Sequence, residues 1–436
     1  MAVEESKVPT HRISRFGKIA SLATRVGGAM VTEGAKQLAQ GKRPKAKDLL
    51  LTPANAKRIA DQLAHLRGAA MKVGQLLSMD AGDLISPELA HILSRLRSDA
   101  TPMPAKQLSQ VLTEQLGDNW QHNFIEFNFR PIASASIGQV HQAHADDGTK
   151  LAVKVQYPGI RKSIDSDVDN VGTLLNLIGL IPKGVDYKGL LDEAKKQLHA
   201  EADYILEATW ITRYQELLSG NPDFVLPTVH LESSSEGVLS MTHVEGLPIE
   251  SLDGADQETR DRIMHLLLEL LFREIFEFKL VQTDPNFANF LYQEDSRRVV
   301  LLDFGATREY SDRISDGYRH AFNGVLHNDD QRLNDALEQI GFFSQQIMPE
   351  QKQAIFELVK LACEPLKHQG KYDFAESGLA QRISEAGNVL SMEQDYWHTP
   401  PADALFLHRK IGGLYLLAAR LNARVDVSAI FSAYRD

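Results

Sequence analysis

Asp284-Pro285-Asn286-Phe287-Ala288-Asn289, followed beyond a hydrophobic strand candidate by Asp303-Phe304-Gly305, points to the fold of this 436-residue chain. Phosphoryl transfer needs a carboxylate near the nucleophile and oxygen ligands that hold a divalent cation against the β- and γ-phosphates. Asp284 and Asn289 have the spacing of a kinase catalytic loop, HRDxxxxN, and Asp303 stands where a DFG motif places its principal metal ligand. Either motif alone is weak, because a strand ending in Asp-Phe-Gly often just makes a turn. The ordered pair, lying beyond a β-rich segment, is far more specific. Asp284 is therefore the candidate base or nucleophile-positioning group, Asn289 and Asp303 are candidate Mg2+ ligands, and ATP is the expected cofactor.

Upstream, Leu151-Ala152-Val153-Lys154-Val155-Gln156 reads as a strand and resembles the VAIK pattern, whose lysine engages the α- and β-phosphates. A lysine on an alternating strand is usually solvated, so Lys154 gains weight only with a helical glutamate that orients its ammonium. Glu207, on a helix ending near Trp210, offers that pairing, and Glu193 is the competing candidate. Just before the strand, where ordinary protein kinases carry GxGxxG, stand Ala133, Ser134, Ala135, Ser136, Ile137, Gly138, Gln139 and Val140. Only one glycine remains. Each added Cβ restricts positive φ and limits how closely backbone amides approach a nucleotide, so ATP is expected to be held differently, with serine hydroxyls and amides still able to donate. Residues 133–138, Val140, Lys154 and Met241 make up the candidate nucleotide-contacting set. After Gly305 the segment Ala306 to Arg313 passes quickly into helix and no APE occurs, which disfavours a peptide substrate.

Around these motifs the pattern changes at Phe124. Thr52-Pro53 starts a helix, Ile59, Leu63, Leu66, Ala70, Val73 and Leu77 recur at helical spacing, and helical pattern continues from Pro87 to Arg97 and from Ala105 to Leu116. From Phe124 the pattern alternates, with strand candidates Phe124 to Phe129, Val140 to Ala143 and Lys150 to Val155, and a turn at Asp147-Gly148. A helical region from Tyr187 to Leu217, strand candidates Phe224 to Leu231 and Gly237 to Val244, and an apolar helix from Thr259 to Phe278 follow. The spacing predicts an α+β, bilobal, protein-kinase-like fold with a small antiparallel β-rich lobe and a larger helical lobe. The boundaries read as a basic and polar region 1–50, a helical extension 51–120, a small lobe 121–246 and a large lobe 247–436.

Composition narrows the function. The formal net charge of −11 argues against a nucleic-acid groove. Cys363 is the single cysteine, which rules out an internal disulfide and a cysteine zinc cluster and fits a reducing compartment. No apolar run approaches the roughly 20 residues that span a bilayer, whereas the basic stretch Arg12 to Lys36, with its small apolar run Ile19 to Met30, suits an anionic membrane surface. A cytoplasmic protein with peripheral membrane contact is expected.

The motifs together resemble the AarF/UbiB family of atypical kinase-like proteins. Arg67-Gly68-Ala69-Ala70-Met71-Lys72-Val73-Gly74-Gln75 is similar to its KxGQ signature, Pro131 to Val140 to its alanine-rich nucleotide loop, Glu201-Ala202-Asp203 to its ExD motif, and Leu407 to Leu414 to its C-terminal helix. The matches run from about Ala56 to Leu421 in family order. The resemblance implies that the KxGQ helix, with Lys72 and Gln75, packs across the active site and that Lys72 meets Glu201 or Asp203. It further implies that Glu207 is the partner of Lys154. It implies a magnesium- and ATP-dependent role in ubiquinone or related prenyl-lipid biosynthesis, with ATPase activity stimulated by lipid or phenolic precursors. Expected partners are a prenyl-lipid or quinone precursor and other ubiquinone-biosynthesis proteins. Some bacterial members end in transmembrane helices; Val425 to Asp436 reads as no such pair, which leaves membrane recruitment to the N-terminal region or an amphipathic surface. A small-molecule kinase and a nucleotide-gated lipid chaperone remain as alternatives.

Overall fold

Strand Lys150–Gln156 organises the first half of the molecule through its two-residue period. Leu151, Val153 and Val155 turn to one face and are fully buried against Leu108, Val111 and Leu112 of helix Ala105–Leu116 and against Trp120 and Val238. Ala152, Lys154 and Gln156 turn to the other face. The computed structural model describes residues 32, 66, 68–70, 72–74, 102–135, 137–177, 187–343, 347–388 and 400–436. Most of the expected N-terminal helices and the basic stretch 12–36 lie outside these.

The described chain divides into two units, one running to Ala208 and including Val229–His243, the other comprising Thr209–Thr228 and Val244–Asp436. The first holds an antiparallel sheet in which Glu126–Phe127 and Ala133–Ser134 both pair with Gly138–His144, followed in order by Lys150–Gln156 and Val238–Thr242. Asp147-Gly148 forms the hairpin turn between its two longest strands: Gly148 has φ +84°, a left-handed conformation that glycine adopts without a Cβ clash, and Asp147 Oδ1 accepts from the Thr149 amide at 2.8 Å. Trp120 packs edge-on against Phe127 and Phe129. A buried polar ladder ties Met103 to the sheet: the Met103 amide donates to Gln139 Oε1 (3.0 Å), Gln139 Nε2 meets His141 Nε2 (2.8 Å), and His141 Nδ1 meets the Asn128 carbonyl (2.8 Å). These partners fix a neutral imidazole protonated at Nδ1, since a carbonyl accepts and an amide N–H donates.

The helical region expected from Tyr187 to Leu217 is two helices, Tyr187–Glu201 and Tyr204–Leu217. The break comes from Asp203, whose Oδ1 accepts from the Leu206 amide at 3.1 Å as an N-cap. The strand expected from Phe224 to Leu231 is only Phe224–Val225, because Pro227 has no amide to give a ladder.

In the second unit, helix Gln257–Arg273 is capped by Asp256, which accepts from the Thr259 amide at 2.7 Å. It runs on into a π-helical turn, Glu274–Phe278, and then reverses at Lys279 with φ 51° into strand Leu280–Gln282. That strand pairs with Thr307–Glu309, while Phe224–Val225, Arg298–Leu301, Phe290–Gln293 and Leu247–Pro248 form a mixed sheet in that order. Helices Asp312–His327, Asp330–Ile340, Pro349–Ala362, Leu379–Asn388 and Ala402–Arg420 also belong to it. Among the described residues no helix is long and apolar enough to cross a membrane.

Burial lowers the pKa of His141 below the ordinary histidine value. The unfolded chain therefore takes up a proton as the pH falls through about 6.5 while the folded chain does not, so stability is lost on acidification. Chemical denaturation between about pH 7.5 and about pH 5.5 is expected to show this loss, with a slope of up to about 1.4 kcal/mol per pH unit from this group. His141→Gln, which keeps a donor and an acceptor, is expected to flatten that part of the slope.

Candidate functional site

In the first unit Lys154 Nζ donates to Glu207 Oε1 at 2.5 Å, with both residues buried. Glu193 lies instead 3.9 Å from Lys196. Glu207 occupies the first turn of helix Tyr204–Leu217, and the Asp203 cap sets where that helix starts. Gln156 Nε2 fastens the break to the sheet by donating to the Ala202 carbonyl at 2.8 Å. Lys72, buried and helical, donates its ammonium to Glu201 Oε1. The two acids of the Glu201-Ala202-Asp203 segment thus do different things, one holding Lys72 and the other capping the helix that presents Glu207.

Register gathers the nucleotide-contacting candidates. Val140 lies opposite Lys154 and Ala133 opposite Val140, while Met241 lies opposite Ala152. Directly opposed residues share a face, and so do alternate residues of one strand, so Ala133, Val140, Lys154 and Met241 all project from the face away from helix Ala105–Leu116. The loop itself is a tight hairpin: Ser134 pairs with Gln139, and the Ala135 amide donates to the Gly138 carbonyl at 2.9 Å. Ile137 is buried, with its carbonyl accepting from the Tyr157 amide at 2.9 Å. Gly138 is required by proximity, since a Cβ there would sit 2.3 Å from the Val155 carbonyl oxygen. Gln75 and Ser136 lie outside the described residues.

In the second unit the candidate catalytic-loop residues are bound to one another. Asn289 Nδ2 donates to Asp284 Oδ2 at 3.2 Å, and Arg409 Nη2 donates to Asp284 Oδ1 at 2.9 Å. Asp303 Oδ1 accepts from the Gly305 amide at 3.0 Å, which turns the chain after the strand. Gln282 Nε2 donates to the main-chain carbonyls of both Asp284 and Asp303, each at 3.1 Å. Gln282, Asn289 and Asp303 line one small cavity with Tyr214, Glu274 and Lys410.

The donor chemistry fits magnesium. Asn289 has one amide hydrogen engaged by Asp284 and keeps its carbonyl oxygen as a ligand atom, and Asp303 adds a carboxylate, so the set is all oxygen. Among the described residues no group of three or more His, Cys, Asp or Glu side chains gathers around a metal position. Magnesium does not need one, because it is held by one or two side chains and completes its octahedron with phosphate oxygens and water.

Arg409 and Lys410 fall in the segment Leu407 to Leu414 that resembles the family's C-terminal helix, but the sequence does not reveal which acids they meet. Both lie on helix Ala402–Arg420, Arg409 on Asp284 and Lys410 in a fully buried pair with Glu274. Burial pushes the Glu274 carboxyl up and the Lys410 ammonium down, and their contact opposes both shifts. Gly413 lets this helix approach, since a Cβ there would lie 2.2 Å from Pro285 Cβ. The Gly412-Gly413 pair inside an otherwise helical stretch is a local signal of that approach.

A sheet carrying a buried Lys–Glu pair, together with an Asp, Asn and Asp set on the following helical unit, defines a protein-kinase-like chain. The ABC1 atypical kinase-like domain model matches residues 95–337, more than half of the sequence, and the chain belongs to this family, the AarF/UbiB group. It is 36% identical to the atypical kinase COQ8, mitochondrial, of Saccharomyces cerevisiae, over 98% of this chain and 86% of that protein. It is 38% identical to the atypical kinase COQ8B, mitochondrial, of Rattus norvegicus, over 98% of this chain and 81% of that protein. Among solved structures it is similar to Rv3197 of Mycobacterium tuberculosis in complex with erythromycin, with a TM-score of 0.60 and 27% identity over 86% of this chain and 95% of that one. The chain is an atypical kinase-like enzyme.

Removing the Asp203 cap by Asp203→Ala is expected to cost about 1 kcal/mol in urea denaturation, whereas Asp203→Ser, which still accepts from Leu206, costs a few tenths, roughly. Equal losses in the two variants would show that the charge of Asp203, and not its cap, is what matters.

Proposed function

We propose that this chain is a magnesium-dependent ATP-binding kinase or ATPase that supports ubiquinone biosynthesis. The buried Lys154–Glu207 pair carries the reading. A carboxylate beside it keeps this strand ammonium oriented, and a lysine ammonium so oriented is suited to donate to phosphate oxygens. COQ8 atypical kinases, similar over nearly the whole chain, support the pathway.

Bound magnesium-ATP supplies the electrophilic phosphorus. Lys154 would donate to the α- and β-phosphate oxygens while Glu207 keeps its ammonium aimed. Asp303 and Asn289 would hold the cation. Asp284 would orient the attacking hydroxyl or water: Arg409 and Asn289 each engage one of its oxygens, and a carboxylate oxygen accepts more than one hydrogen bond, so room for the nucleophile remains. Ala133, Val140 and Met241 would contact the nucleoside, and Lys72 with Gln75 would govern access. A prenyl-lipid or quinone precursor, other ubiquinone-biosynthesis proteins and an anionic membrane surface are the proposed partners of a cytoplasmic protein attached peripherally. The basic stretch Arg12 to Lys36 favours the membrane contact.

Turnover of radiolabelled ATP, measured with and without anionic liposomes, is expected to need magnesium and to rise with lipid. Asp303→Asn is expected to lower it by about 100-fold or more; unchanged turnover would remove Asp303 from the metal site. In a strain lacking the protein, quinone levels are expected to return with the wild-type chain and not with Asp284→Asn. Full rescue by Asp284→Asn with normal nucleotide binding would favour a nucleotide-gated scaffold instead.

A further inference from the structure

Gln282 closes strand Leu280–Gln282 and is buried. A carboxamide has two N–H donors. Gln282 points both at main-chain carbonyls, those of Asp284 and Asp303, at 3.1 Å each. These carbonyls belong to the two acids on which the phosphoryl-transfer reading rests, and they are 2 and 21 residues from Gln282 along the chain. One side chain therefore ties the catalytic loop to the metal-binding turn.

The clamp is itself anchored from behind. The Gln282 amide donates to Tyr214 Oη at 2.9 Å, and the Tyr214 hydroxyl donates to Glu274 Oε1 at 2.7 Å. Glu274 is held by Lys410, and Gln282 pairs across the ladder with Thr307. Burial and the Glu274 carboxylate keep the Tyr214 phenol protonated, with its pKa well above the ordinary value. The strand is also held independently of the clamp: Thr283 Oγ1 and the Thr283 amide both donate to the Ala306 carbonyl, at 2.7 and 3.2 Å. Loss of the Gln282 side-chain carboxamide thus frees two carbonyls locally without detaching the strand.

We infer that Gln282 is a positioning residue that fixes Asp303 relative to Asp284 and thereby sets how tightly the divalent cation is held when nucleotide is bound. The inference rests on the magnesium-nucleotide reading above. Side chains that orient metal ligands typically change metal affinity by about 10- to 100-fold when removed. Glutamine suits the role because a leucine of similar size has no donor, and a glutamate would set acceptor oxygens against two carbonyls.

The test titrates Mg2+ at fixed ATP in the full chain and separately measures ATP affinity in EDTA. Gln282→Leu is expected to raise the Mg2+ needed for half-maximal turnover by about tenfold or more, with ATP affinity in EDTA changed less than about twofold. Gln282→His, which retains one ring N–H donor, is expected to fall between Gln282→Leu and the wild type. A wild-type Mg2+ requirement in Gln282→Leu overturns the inference, and so does an equal loss of ATP affinity in EDTA, which marks general disruption. Should Gln282→Leu fail to fold, Gln282→His decides alone: a raised requirement supports the clamp and a wild-type one overturns it. If the wild-type chain shows no Mg2+-dependent turnover, or Asp303→Asn titrates like the wild type, the magnesium-nucleotide reading itself fails.

Discussion

An ammonium and a carboxylate buried side by side are costly to desolvate, at several kcal/mol per ion, roughly. Lys154 and Glu207 are in that position, 7% and 2% exposed. Removing one partner of such a pair costs about 3–5 kcal/mol, because the other is left as an unpaired buried charge. Stability gives no reason to keep it, since an apolar pair of the same volume holds a core equally well. Engaging a triphosphate, as proposed above, would give one. The surroundings are arranged around keeping the pair in place: the apolar half of strand Lys150–Gln156 fixes the strand against helix Ala105–Leu116, Gln156 ties the helix break to the sheet, and the Asp203 cap sets the start of the glutamate helix.

The second unit solves a related problem with main-chain atoms. Asp284 and Asp303 sit on connections outside the sheet ladders, where carbonyls lack strand partners. Gln282 supplies those partners, Thr283 adds a second tie to Ala306, and the Leu302 amide reaches the Asn289 carbonyl at 3.0 Å. Helix Ala402–Arg420 then closes on this lattice through two consecutive residues that take different acids, Arg409 on Asp284 and Lys410 on Glu274. Gly413 makes the approach possible. Acids and cations that look scattered along the sequence converge because the helix comes close enough for both bonds.

Local pattern carried the parts of this arrangement that depend on local physics. The alternation of Leu151, Val153 and Val155 reveals the strand and its buried face, and the spacing of Asp284 and Asn289 singles out two residues that bond to each other. The break at Ala202-Asp203 is hidden because helical periodicity runs on both sides and alanine is a good helix former, so the capping bond of one aspartate decides it. The choice between Glu201 and Asp203 for Lys72 is hidden too, since two acids two residues apart differ only in the direction the backbone gives them. Arg409 pairs with an acid 125 residues away, and no periodicity records a contact at that range.

The route taken after Gly305 explains why the second unit is built in this fixed way. Conventional kinases place a long segment there, and its ordering on phosphorylation controls the position of the DFG aspartate. Here Thr307–Glu309 pairs at once with Leu280–Gln282, the Tyr310 amide donates to the Lys279 carbonyl at 2.8 Å, and helix Asp312–His327 begins two residues later. The turn bearing Asp303 is thereby stitched to the strand bearing Gln282, with no intervening segment to order or release. A turn held this way is preformed. In the first unit the Lys72–Glu201 contact marks a junction of another kind, because its glutamate ends one helix two residues before the aspartate that starts the next.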